Sequence, residues 1–321
     1  MVYVLFIVGF VLLIKGADYL VEGASAIAKR NHIPELVIGL TIVSFGTSMP
    51  ELIVNLLASF DGSSELAIGN VLGSNIANVL LILGVAALIK PLPIQKSIYF
   101  TEIPISLFAT VMVGFLANAD LFVDVEGLTL SRYDGVILLF FFGLFMTYIY
   151  VVSKNPSDKP EPESEVDENL LPRAKSIIYV VAGSLALFLG GKWVVDGAFE
   201  LSLLFGLSET FIGLTVVAIG TSLPELVTSA MAARKGQADL AVGNVVGSSI
   251  FNLLWILGLS SVIRPLPFDV VSNSDILMVI ASSTLLITAI VIGGKARIGR
   301  FMGFVFVLVY LAYLVYLVLR G

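Results

Sequence analysis

No cysteine occurs in the 321 residues. That excludes disulfides, thiolate metal sites and thiol nucleophiles, and it leaves the redox compartment open. Histidine occurs once. His32 stands beside Arg30 and Asn31 in a short polar connection, where a single imidazole reads as a solvated loop residue rather than a zinc ligand. Charge is scarce as well: 13% of the residues are Asp, Glu, Lys or Arg, against about 25% in soluble domains. The net charge of −6 comes partly from one acidic linker, and neither sign dominates as nucleic-acid binding would require. No polar stretch is long enough to fold as a soluble domain with an activity of its own. What remains is apolar. It makes up 58% of the chain, gathered into runs that approach or exceed the roughly 20 residues needed to cross a bilayer. The chain reads as an all-α membrane protein whose outer surface meets lipid.

Ten transmembrane helices are expected, at 2–27, 35–60, 64–89, 97–117, 134–153, 176–204, 209–233, 238–263, 273–293 and 300–319. The chain opens on an apolar run with no basic n-region and no small-residue cleavage site, so the first helix is expected to be retained rather than cleaved as a signal peptide. Lysine and arginine sort between the two sides. Thirteen of the 18 fall on one side; Arg132, Arg264 and Arg320 fall on the other, and Lys15 and Lys192 lie within spans. The rich side is expected to be cytoplasmic, which puts both termini outside a plasma or inner membrane. The organisation is a five-helix repeat at 1–153, an acidic linker at 154–175 and a second five-helix repeat at 176–321. The linker carries Asp158, Glu161, Glu163, Glu165, Asp167 and Glu168 with four prolines. It is too short and polar to fold alone and reads as a solubilised hinge.

The repeat is explicit. GLTIVSFGTSMPELI at 39–53 recurs as GLTVVAIGTSLPELV at 213–227, and LAIGNVLGSNIANVLLILG at 66–84 recurs as LAVGNVVGSSIFNLLWILG at 240–258. Both pairs share one offset, 174. Roughly half the positions from Glu35 to Pro93 match their partners, and Gly16 and Gly23 match Gly190 and Gly197. Five spans per half is an odd number, so the second copy enters the membrane from the opposite side. Lys90 and Arg264 agree: they are equivalent, yet they fall on opposite sides. Two inverted five-helix repeats are a common build of secondary transporters, with the site near midplane where the halves meet.

The polar residues follow the repeat. Ser44, Thr47, Ser48, Glu51 and Asn55 share one face of the second span, and Ala218, Thr221, Ser222, Glu225 and Ser229 repeat that face in the seventh. A carboxylate inside a span costs about 2.5–3.5 kcal/mol on insertion scales and normally faces the interior or a water-filled path. Pro50 and Pro224 cannot donate to the carbonyls of Gly46 and Gly220, so each span is expected to break there and expose carbonyls, including those of Thr47 and Thr221. In the third and eighth spans, Asn70, Ser74 and Asn78 and then Asn244, Ser248 and Asn252 recur at spacing four. Gly69, Gly73, Gly243 and Gly247 would let these helices approach neighbours closely. Asn70 and Asn244 could equally bond the backbone of the broken helices. Every donor is oxygen, which suits hard cations such as Ca²⁺. Two glutamates supply the charge that balances one Ca²⁺ or two Na⁺. Other charges read as structural. Lys192 and Asp196 have ion-pair spacing, Lys15, Asp18 and Glu22 could cluster on the first helix, and Glu35 and Glu209 open theirs.

GTSMPE with GNVLGSNIAN, and GTSLPE with GNVVGSSIFN, resemble the two alpha repeats of the calcium/cation antiporter superfamily, and most of all its prokaryotic sodium/calcium exchangers. The resemblance covers nearly the whole chain. It implies ten helices and four ion positions in a diamond between the second, third, seventh and eighth. Glu51 and Glu225 would be shared Ca²⁺ and Na⁺ ligands, and Thr47 and Thr221 would offer backbone carbonyls to Ca²⁺. Ser48, Ser222, Ser74 and Ser248 would serve Na⁺, with backbone oxygens at Ser44 and Ala218, and Asn78 and Asn252 would complete the centre. Sliding of the first and sixth helices would switch access, with three Na⁺ exchanged for one Ca²⁺ and no cofactor. Family members often carry Asp at one of the two central Asn positions. Here both are Asn, which lowers the fixed charge and leaves the Na⁺ count and proton coupling open.

A Ca²⁺/H⁺ antiporter is the nearest rival. Proton-coupled branches more typically place a glutamate soon after the GN dipeptide, where this chain has Val71, Leu72 and Gly73. A cation channel would want rings of ligands along an unbroken pathway. An intramembrane enzyme would want an activated nucleophile or a metal-binding His motif, and the sequence has neither. The partners expected are Ca²⁺, Na⁺ or H⁺ and the lipid bilayer; no protein partner can be inferred.

Overall fold

A computed structural model describes residues 2–122, 127–154, 171–204, 218–292 and 296–320. Its helices are α1 (Val2–Arg30), α2 (Glu35–Thr47), α3 (Met49–Asp61), α4 (Glu65–Ile89), α5 (Ile98–Ala117), α6 (Arg132–Lys154), α7 (Arg173–Leu204), α8 (Ala218–Thr221), α9 (Leu223–Lys235), α10 (Ala238–Ile263), α11 (Asn273–Ile292) and α12 (Arg300–Arg320). Among the described residues, eight helices are long and apolar enough to cross a membrane. Helices α2 and α3, bent by 50° at their junction, make a ninth if the pair counts as one span. The expected span at 209–233 is described only from Ala218, as α8 and α9, so half of it lies outside the described residues. The linker residues 155–170 and Glu209 lie outside them too. No described end of a span differs from its expected position by more than three residues.

The sequence places the bend. Pro50 and Pro224 sit in the first turns of α3 and α9, where a missing N–H is tolerated. The hinge residues Ser48 and Ser222 have matching backbone angles, φ −84° and −87°. Ser48 donates its N–H to the Ser44 carbonyl, and the ladder resumes with Leu52 donating to Ser48. No main-chain bond across that break reaches the Thr47 carbonyl. Both α3 and α9 then end on a left-handed glycine, Gly62 at φ +80° and Gly236 at φ +83°. Apolar periodicity does not reveal the π-helical turns at Gly39–Val43, Ala77–Ile82 and Phe251–Ile256. Such turns are frequent at functional sites.

The helices α4 and α10 run through the middle, with about three quarters of each apolar window buried, whereas α6, α7 and α12 bury about a quarter. An apolar helix that is mostly covered belongs to the centre of a bundle, and one that is mostly exposed meets lipid. Leu36, Leu40, Leu72, Ile76, Val246 and Ile250 belong to one continuous core. Close approach is set by small residues. Gly243 and Gly247 press on the main chain of Leu36 and Leu40; the equivalent contacts of Gly69 and Gly73 would fall at 210 and 214, outside the described residues. Helices α1 and α7 pack antiparallel as a separate pair, through Gly9 on Gly190, Gly16 on Gly183 and Gly23 on Ser176. At the rims, Leu92–Pro93 pairs with Arg297–Ile298, and Leu128–Leu130 with Leu266–Phe268, as two short antiparallel ribbons.

Two expectations about charge are corrected. Lys192 and Asp196 do not form an ion pair; among the described residues the ion pairs are Lys235–Asp18 at 2.5 Å and Arg320–Asp275 at 2.8 Å. A basic residue N-terminal to an acidic one at i, i+4 is the less favourable orientation. Asp18 does not cluster with Lys15 or Glu22 in an ion pair either, because it reaches across to α9. Glu35 accepts from the Ser25 hydroxyl at 2.9 Å, a structural contact at a helix start.

Candidate functional site

The first turns of α3 and α9 bring the two glutamates to the junction of the halves. Glu51 and Glu225 are each 1% exposed. The Ser48 hydroxyl donates to Glu225 Oε1 at 2.8 Å, and the Ser222 hydroxyl donates to Glu51 Oε1 at 3.4 Å. Each hinge serine therefore serves the carboxylate of the other half. Ser48 also meets Ser248 at 2.9 Å, and Ser222 meets Ser74 at 3.3 Å. Adding 174 to one residue of a contact and subtracting 174 from the other gives its equivalent, so the halves meet around a local twofold.

The threonines and asparagines obey the same rule. Thr47 Oγ1 donates to Asn244 Oδ1 at 3.0 Å, and Thr221 Oγ1 donates to Asn70 Oδ1 at 3.2 Å. Asn70 and Asn244 in turn donate to Asn55 Oδ1 at 3.0 Å and Ser229 Oγ at 2.9 Å. Among the described residues, Asn70 and Asn244 thus bond side chains and not the broken backbone. Because the threonine hydroxyls are occupied, what Thr47 offers the junction is its carbonyl. Ser44 is fully buried, and its carbonyl accepts from Ser48 N at 2.9 Å and lies 3.3 Å from Thr47 Oγ1, as the alternative acceptor to Asn244 for that one hydroxyl proton. Ala218 opens the short turn α8 in the equivalent place.

Asn78 and Asn252 lie in the two π-helical turns, each 1% exposed. The Asn78 amide nitrogen faces Ser249 Oγ at 3.4 Å, and that of Asn252 faces Asn75 Oδ1 at 3.3 Å. Asn75 and Ser249 were not singled out in the sequence. The signal was present, since they are equivalent to each other and adjoin Ser74 and Ser248. At the junction of the halves, Glu51 Oε2, Glu225 Oε2, Asn78 Oδ1 and Asn252 Oδ1 are buried acceptors without a hydrogen-bond partner. Buried polar atoms are normally satisfied. These four acceptors, related in pairs by the repeat offset and beside four serine hydroxyls, are a donor set of the kind that oxygen-seeking cations take. At the junction, Ser48, Glu225 and Ser248 form one hydrogen-bonded group and Ser222, Glu51 and Ser74 its equivalent, while Thr47 and Thr221 are held by Asn244 and Asn70, and Asn78 and Asn252 by Ser249 and Asn75; among the described residues no His, Asp or additional Glu is bonded to them.

Comparisons agree with the geometry. The sodium/calcium exchanger protein family matches residues 1–151 and 175–319. The chain is 37% identical over 313 residues to the putative antiporter CaxA of Alkalimonas amylolytica, covering 96% of this chain and 95% of that one. It is 36% identical over 351 residues to the sodium/calcium exchanger MaX1 of Methanosarcina acetivorans, covering 98% of each. Its fold matches a structure of the sodium-calcium exchanger NCX_Mj soaked with 10 mM Na⁺ and zero Ca²⁺, with TM-score 0.80, 30% identity, and 97% and 98% of the two chains covered. With an apolar helical bundle and matches over nearly its full length, this integral membrane protein belongs to the sodium/calcium exchanger protein family, whose members are cation antiporters.

Proposed function

We propose that the chain exchanges Ca²⁺ for Na⁺ by alternating access at a midplane site between two inverted five-helix repeats, 1–153 and 176–321, joined by the linker at 154–175. The observation that carries this reading is the set of four orphaned buried oxygens on Glu51, Glu225, Asn78 and Asn252. Two carboxylates balance one Ca²⁺ or two Na⁺, so the two loads exclude each other. The hydroxyls of Ser48, Ser222, Ser74 and Ser248 and the backbone oxygens at Thr47, Thr221, Ser44 and Ala218 complete the sites. The names of MaX1 and NCX_Mj, both sodium/calcium exchangers, support Na⁺ as the counter-ion.

Inversion is supported by which ends meet. Helix α4 spans 25 residues, about 37 Å at 1.5 Å per residue, so its two ends lie on opposite faces. Gly62, before its start, touches Arg264; Lys90, after its end, touches Gly236. Gly62 and Gly236 are equivalent, as are Lys90 and Arg264, and each equivalent pair is divided between the faces. The lysine-rich face is the cytoplasmic one, which leaves both termini outside.

The test is Ca²⁺ uptake by proteoliposomes under an outward Na⁺ gradient and then under an outward H⁺ gradient. Na⁺-driven uptake is expected, together with its loss in Glu51→Gln plus Glu225→Gln. Uptake driven only by protons would instead identify a Ca²⁺/H⁺ antiporter. Normal Na⁺-driven uptake by the double variant would remove the glutamates from the site.

A further inference from the structure

In the structure one side of the molecule is fastened. Lys235, the last residue of α9, forms an ion pair at 2.5 Å with Asp18, in α1. Moving both residues by the repeat offset of 174 leads from Asp18 to Lys192 and from Lys235 to Asp61. Both charges reverse, so the equivalent pair is again complementary. Reversal of one alone would have produced like charges. Lys192 and Asp61 are exposed, and among the described residues neither has an ion-pair partner.

The packing is lopsided in the same sense. Helix α1 lies along α9, but α7, the equivalent of α1, makes no comparable contact with α3, the equivalent of α9. The helix ends themselves match, since α3 and α9 both finish on a left-handed glycine. Asp61 and Lys235 therefore leave equivalent backbone positions. A cation at a helix C-terminus suits the macrodipole, whereas an aspartate there opposes it. Asp61 is the residue that gains most from a partner. Arg264 is nearby, but it donates to the Phe60 carbonyl at 3.4 Å instead of pairing with Asp61.

In an inverted repeat, the conformers open to opposite faces are related by exchanging the conformations of the two halves. A contact present once in one conformer therefore specifies its equivalent in the other. We propose that Asp18–Lys235 and Lys192–Asp61 are alternating latches: the first fastens the Lys90 end in the conformer seen here, and the second fastens the Arg264 end after the α1–α7 pair slides. The four residues act through the position of that pair and touch no transported ion. This rests on the alternating-access reading given above.

The chain has no cysteine, so introduced pairs can be read without background. In reconstituted D18C/K235C and D61C/K192C, a cleavable bifunctional thiol reagent is expected to link each pair. In the four-cysteine variant, linking the first pair should prevent the second. Each link should stop Na⁺-driven Ca²⁺ uptake, and reductive cleavage should restore it. Absence of any 61–192 link, or both links within one molecule, would overturn the latches. Uptake by the unlinked variants keeps the two readings apart, since its loss under a Na⁺ gradient in the wild type too would count against exchange itself. Charge provides a second measurement. An exposed pair shifts a two-state equilibrium by up to about fivefold. Asp18→Asn and Asp61→Asn should therefore move the ratio of apparent Ca²⁺ affinities at the two faces in opposite directions by up to about that factor. D18K/K235D should return it toward the wild-type value. Shifts in the same direction, or no recovery in the swap, would overturn the proposal.

Discussion

Ser249 fixes the direction of a neighbouring amide. Its hydroxyl donates to the Val245 carbonyl at 3.0 Å, so toward Asn78 it presents only acceptor lone pairs. The Asn78 nitrogen turns to it at 3.4 Å, and the amide oxygen is left to face the junction. In Ser249→Ala the amide is free to turn over and offer N–H groups to a cation. A hydrogen bond of this kind contributes about 0.5–1.5 kcal/mol. Half-saturation for Ca²⁺ should therefore rise about two- to tenfold, with a smaller change in maximal rate. Initial uptake rates in proteoliposomes measure it, with Ser249→Thr as the hydroxyl-retaining control; an unchanged half-saturation would show that Asn78 is oriented by something else. The glutamates were legible in the sequence because a carboxylate one residue past a proline, inside an apolar span, has no packing use. Asn75 and Ser249 were visible only as a repeated polar pair beside Ser74 and Ser248; that they meet Asn252 and Asn78 was not, because those bonds cross between the halves and spacing within one helix cannot reveal such a partner.

At the scale of elements, the glycines that join α1 to α7 matter most. A Cβ built on Gly183 would lie 2.7 Å from the Gly16 carbonyl oxygen and 2.7 Å from Leu20 N. Both obstacles are main chain, so neither can swing aside. Overpacking of this sort costs about 1–3 kcal/mol, and it would force α1 and α7 apart along their shared surface. Gly183→Val should lower the melting temperature in detergent and reduce Ca²⁺ exchange strongly. Gly143→Ala, where a Cβ meets nothing within 4 Å, should do neither. Equal melting temperatures for the two would remove the glycine contact as a constraint. The equivalence of Gly16 with Gly190 was visible in the sequence, but not that these glycines meet those of the other half. Likewise Pro50 announced the break at Ser48, whereas the π-helical turns carrying Asn78 and Asn252 were hidden. A π-helical turn alters hydrogen-bond spacing without altering apolar composition, so the hydrophobic pattern passes through it unmarked.

For the whole molecule, the decisive question is whether equivalent residues occupy opposite faces. The tally of lysine and arginine suggested that they do, and the contacts of Gly62 with Arg264 and of Gly236 with Lys90 follow the same division. A single crossing of the membrane by α4 is enough to divide them. Lys90 at its far end and Arg264 beside its near end are then separated by the full bilayer, although the repeat makes them counterparts. Both side chains are exposed. Lys90→Cys and Arg264→Cys in this cysteine-free chain should therefore react with a membrane-impermeant thiol reagent from opposite faces of oriented vesicles, Lys90→Cys from the cytoplasmic face. Labelling from one and the same face would make the repeats parallel. A parallel pair could not place Glu51 and Glu225 in reciprocal contact with Ser222 and Ser48 and also alternate its access by exchanging the two halves.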